Sequence, residues 1–188
     1  MMLTEESPVP SGVLPVEEMK DHLRMGSGFA DGGLQDGLIE TYLRAAMAAI
    51  EGRIGKMLLR RRFLWVLEGW RDAEQALPVA PVAGIVSVTL VDAAGGEVVV
   101  PGASYRLVPD LHRPRLAGRG AALPAIPSEG MVKVVFEAGF GPAWTDVPVD
   151  LRQAVLLLAG EYHEHRHDDA AQGAVSYTHL TLPTKRIV

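Results

Sequence analysis

The chain has 188 residues, 48% of them hydrophobic and 22% charged, with a formal net charge of -5 and a sequence pI of about 5.7. That length and composition suit one globular domain with a buried core, and the negative balance is the opposite of the basic footprint of a protein that grips nucleic-acid phosphates. Cysteine is absent, which excludes disulfides, thiol catalysis and cysteine metal sites and leaves histidine and carboxylates as metal ligands.

Residues 1–14, with Pro8, Pro10 and Gly12, read as a flexible N-terminal arm. The stretch MMLTEESPVP carries acids and no basic run before an apolar one, so it is not expected to be a signal peptide. No apolar run reaches membrane length, and a cytoplasmic protein is expected. Pro15 is placed to open a helix over 15–25, with Val16, Met19 and Leu23 on one face. A long helix is predicted over 34–58, with Leu34, Leu38, Tyr42, Ala45 and Ala49 as its apolar stripe and Asp31 as its cap. The cations Lys56, Arg60, Arg61 and Arg62 are expected to complement the dipole at that helix's C-terminus.

A β insertion follows over 63–136. Its β-branched runs predict a hairpin turning at Asp92 to Gly96, a strand at Tyr105 to Val108 and another at Met131 to Phe136. Between the last two, residues 109–130 are rich in Pro, Gly and Arg and read as a long loop. Gly139 and Gly141 break the last strand, and a final helix is predicted over 148–168, with Pro148 near its start, Asp150 in its first turn and Leu151, Val155, Leu158 and Tyr162 as its buried stripe. Residues 169–188 form a tail, of which SYTHLTLPTKRIV (176–188) changes composition abruptly and reads as non-native vector or adapter read-through. The fold class is α+β: a small helical bundle of a short, a long and a C-terminal helix, with an inserted antiparallel β-hairpin or sheet.

One motif carries possible chemistry. HEHRH at 163–167 has the H-E-x-x-H form of a zinc metalloprotease, with His163 and His167 as metal ligands and Glu164 as base. A zinc-dependent hydrolase is therefore the alternative function. Against it, no third ligand follows at a suggestive spacing, and His163 and His167 are expected to fall roughly 100 to 140° away from the buried stripe, at a solvated helix end. Upstream, His22 and His112 have no supporting spacing. There is no G-x-S-x-G elbow and no Walker A loop, so no catalytic residue and no cofactor emerge.

The order of elements, PVEEMKDHLR, ETYLRAAMAAIEGRIGK, PVAGIVSVTLVDAAGGEVVVPGASYRLV, VKVVFEAGFG and VPVDLRQAVLLLAGEYHEHR, resembles the head-tail connector (adaptor) family of tailed bacteriophages and phage-derived gene transfer agents. The resemblance covers residues 15–168, a connector domain, and is most specific at AGFG and the last helix. It implies a structural role in virion assembly: a ring, typically of twelve subunits, bound to the portal and joined to a stopper, neck or tail protein. DNA would pass through without sequence-specific binding, with no membrane, no cofactor and no catalysis. The location would be the neck of a phage-like particle assembled in the bacterial cytoplasm. His163, Glu164 and His167 fall where the family carries variable polar residues. Arg113, Arg115 and Arg119 in the long loop are the candidate partner-binding or DNA-facing residues. Relatives commonly continue beyond the last helix, where this chain runs from Gln172 to Val175 into its tail.

Overall fold

The structure is a computed structural model that describes residues 2–24, 32–120 and 122–165. Its elements are β1 (Met2–Glu5), α1 (Val16–His22), α2 (Gly32–Ile54), β2 (Arg61–Leu67), β3 (Glu74–Ala76), β4 (Val82–Val91), β5 (Glu97–Val99), β6 (Tyr105–Val108), β7 (Arg115–Gly118), β8 (Met131–Ala138) and α3 (Val149–Glu164). The class is α+β. The β region forms two antiparallel sheets, a five-stranded one in the order β1-β2-β8-β4-β5 and a three-stranded one in the order β3-β7-β6.

Strict alternation builds the first core. Phe63, Trp65 and Leu67 of β2 and Val132, Val134 and Phe136 of β8 are all buried, while the residues between them are not. This period of two turns one face of the large sheet onto the small one, where Leu116 and Tyr105 meet it. Phe63 and Phe136 are register partners, and their rings stack with centroids 5.8 Å apart. The second core is helical. Met19 of α1, Ile39, Leu43, Ala46 and Met47 of α2, and Val155, Leu156 and Ala159 of α3 close on one another and on Leu58, Leu59 and Trp144.

Several expectations from the sequence change. The expected arm is integrated into the fold from residue 2 on: β1 pairs antiparallel with β2, and Val9 and Leu14 lie in the helical core. The long 109–130 loop contains β7, which joins β3 to β6. The helix faces are also rotated. In α2 the buried stripe is Ile39, Leu43 and Met47, while Leu38 is 41% exposed; in α3 it is Val155, Leu156, Ala159 and Gly160, with Tyr162 exposed. Both helices are rich in Ala and Leu, so more than one stripe satisfies the helical period, and the bulk of the facing elements chooses between them. Finally, α2 ends at Ile54, so Arg61 and Arg62 lie on β2. Asp31, His167 and the tail 169–188 lie outside the described residues.

Candidate functional surfaces

At the end of α3 the two halves of the H-E-x-x-H motif behave differently. His163 follows Gly160 and Ala159 by three and four residues, so it continues the buried face. Its ring meets Tyr42 of α2 edge-on at 6.0 Å. The sequence expectation that His163 points well away from that face is thus corrected, because the face itself is rotated. Glu164 is exposed. The neighbouring His165 Nδ1 lies 3.1 Å from the Glu161 carbonyl and 3.3 Å from its carboxylate, a local helix-end arrangement. Among the described residues no group of three His, Asp or Glu side chains could hold a metal. What His163 contributes here is packing across the α2–α3 seam.

The three arginines singled out from the sequence sit around β7. Arg115 Nη1 lies 2.5 Å from Glu74 on β3, and Arg106 on β6 approaches the same carboxylate at 3.9 Å. Arg119 donates from Nε to the Tyr105 carbonyl (3.1 Å), which fixes it against β6. Arg113 is exposed, in a turn that Asp110 organises by accepting the N–H groups of His112 (2.7 Å) and Arg113 (2.8 Å). Those two N–H groups hold the Asp110 carboxyl below its usual value of 3.8. The small sheet thus carries Arg115 and Arg106 together on its outer side, with Arg113 and Arg119 just beyond the ends of the strand. Arg106 is not in the sequence-based set; its place beside Ala117 in the register brings it in.

A polar junction that sequence reasoning missed lies where the two cores meet. Glu51, 5% exposed, accepts the Leu58 N–H at 2.8 Å and Arg61 Nη2 at 2.6 Å. Arg61 also reaches Glu5 of β1 at 3.4 Å and lies over the Phe63 ring at 5.6 Å. One guanidinium therefore ties α2, β1 and β2. Beside it, the AGFG turn is threaded through the same joint. Gly139 donates to the Pro81 carbonyl, Phe140 to Leu58, and Arg60 to Gly141. Gly139 has φ +132, and a Cβ there would lie 2.5 Å from the Leu59 and Arg60 backbone, so only glycine fits. Proximity in sequence hinted at none of this beyond the two glycines.

An open groove of about 470 Å³ runs along this joint, lined by Arg60, Arg62, Glu6 and Glu137 among others. Its mixed charges and open form are unlike the enclosed apolar pockets that take small molecules.

No protein-family profile matches the chain, and no curated protein matches it. Solved structures do. A chain in the neck of an empty GTA particle computed with C6 symmetry is 52% identical, with a TM-score of 0.85 over 94% of this chain and 88% of that one. A chain of the virion of a native gene transfer agent (GTA) particle is also 52% identical, with a TM-score of 0.82 over 94% of this chain and 90% of that one. A third, from the neck of a native GTA particle computed with C12 symmetry, is 48% identical, with a TM-score of 0.80 over 95% and 89% of the two chains.

Proposed function

This chain belongs to the head-tail connector (adaptor) family of tailed bacteriophages and gene transfer agents, and from that premise we propose that it is a structural subunit of a particle neck. Identity of 48 to 52% over nearly the whole chain, with neck chains of gene transfer agent particles, is the observation that carries the reading. At that identity both cores and the joint between them are expected to be shared, and with them the surfaces they present. In this reading twelve copies form a ring on the portal and join it to a stopper, neck or tail protein, leaving a channel for DNA. Assembly takes place in the bacterial cytoplasm. The role is architectural, with no catalytic step.

Arg113, Arg115 and Arg119 serve in this reading as contacts to a neighbour in the particle. Negative net charge fits a channel wall that does not retain passing DNA, since few cations are available to replace phosphate counterions. The zinc-hydrolase alternative is disfavoured by His163, whose ring is engaged with Tyr42.

Native mass spectrometry of the purified chain, with and without portal protein, tests the proposal by reporting oligomer mass and bound metal together. A metal-free ring, or a metal-free monomer that assembles on portal, is the expected result. A monomer that ignores portal and keeps one zinc through mild chelation would overturn it.

A further inference from the structure

A ring that closes by rotation needs two different, mutually complementary faces on each subunit, and this chain displays two surfaces of opposite charge. Residues 105–119 carry four arginines, Arg106, Arg113, Arg115 and Arg119, against one carboxylate, Asp110. Asp110 is occupied with backbone N–H groups, and Glu74 is shared between Arg106 and Arg115, so the surface stays basic. Beside it Leu111 is 50% exposed. On α3 the balance is reversed, with Asp150, Glu161 and Glu164 against Arg152.

Asp150, Leu157, Glu161 and Glu164 are spaced i, i+7, i+11 and i+14, which sets them on one side of the helix. All four are exposed, Leu157 by 53%. Arg24 lines the cleft beside Glu161 and Glu164. Glu161 also lies 3.3 Å from the His165 ring at the end of the same helix. The basic surface belongs to the sheet core and the acidic stripe to the helical core, so one subunit can offer both at once.

We propose that in the ring the arginine-bearing outer side of β6 and β7 docks on the acidic outer stripe of α3 of the next copy, with Leu111 and Leu157 at the apolar centre of the contact. This rests on the ring reading above. A second copy fits better than a DNA backbone, because a surface for phosphate would gain nothing from Glu74 between its arginines or from an exposed Leu111. Opposite charge also fixes which face meets which, since two like faces repel.

The absence of cysteine allows a direct test. Full-length Leu111→Cys and Leu157→Cys chains are mixed under mild oxidation, and the mixed disulfide dimer is timed against two controls: each variant alone, and Leu157→Cys with Val98→Cys, whose site is 64% exposed. The mixed Leu111–Leu157 dimer should form about tenfold faster than any control, and raised salt or an added Arg115→Glu should remove that advantage. Equal rates for all pairs would overturn the proposal. If a control pair were fastest instead, copies would associate through another face: the ring reading would stand while this docking would fall. A loss of salt-dependent DNA-duplex binding in Arg106→Glu/Arg115→Glu chains, with trapping unchanged, would reassign the arginines to DNA and also overturn it.

Discussion

Truncating Glu51 to alanine tests whether one buried ion pair holds the two cores together. The substitution removes the acceptor of the Leu58 N–H and the partner 2.6 Å from Arg61, whose side chain is only 11% exposed. Breaking a buried pair on one side typically costs about 3–5 kcal/mol, because the remaining charge stays buried. Here Arg61 keeps Glu5 at 3.4 Å and the Phe63 ring, so the lower part of that range applies, about 3 kcal/mol. Glu51→Gln retains an acceptor for Leu58 and should lose less, about 2 kcal/mol. Replacing both partners, as Glu51→Leu/Arg61→Met, should cost less than the sum of the single changes, with a coupling of about 1–2 kcal/mol.

Urea unfolding reads these losses. With a slope of about 2 kcal/mol/M, the alanine variant's midpoint should fall by about 1.5 M. Trp65 and Trp70 report on the sheet core and Trp144 on the helical core, so fluorescence from variants keeping only one region's tryptophans shows whether the cores still melt together. They should separate in Glu51→Ala. A loss below about 1 kcal/mol with coincident transitions would mean that the pair behaves like a surface bridge, and the joint would have to be attributed to the AGFG backbone contacts alone.

Gly139→Ala combines an unfavourable φ with a backbone overlap at 2.5 Å, and should destabilise by about 3 kcal/mol or more, read as a drop in melting temperature and soluble yield. His163→Ala should cost about 1 kcal/mol through the lost Tyr42 contact and leave zinc content, measured by elemental analysis before and after chelation, unchanged from wild type. The folded-state Asp110 carboxyl titrates below 3.8, so the stabilisation it gives the 110–113 turn is present above that value and is lost as pH falls through its lower folded value. The His112 and Arg113 amide resonances should report this as a titration below the ordinary aspartate range. Asp110→Ala should abolish it.

The sequence by itself determined what is local. The β-branched run from Met131 to Phe136 marks β8, the Asp92 to Gly96 turn marks the β4–β5 hairpin, and Pro148 with Asp150 marks the start of α3, because strand propensity, turn chemistry and helix dipole act over a few bonds. Residue order alone was also enough to suggest the connector family. Tertiary structure decided whatever depends on a distant partner. Met2–Glu5 carries no alternation that marks a strand, yet it pairs with β2 some sixty residues on. Arg61 reads as a helix-end cation and becomes a strand residue facing Glu51. His163 reads as solvated and packs on Tyr42, since an Ala- and Leu-rich helix fits several faces equally until another element covers one. Arg106 joins Arg115 only through the register of β6 with β7. Local periodicity is a property of the backbone, whereas which face is buried and which charges meet are properties of surfaces brought together by the rest of the chain.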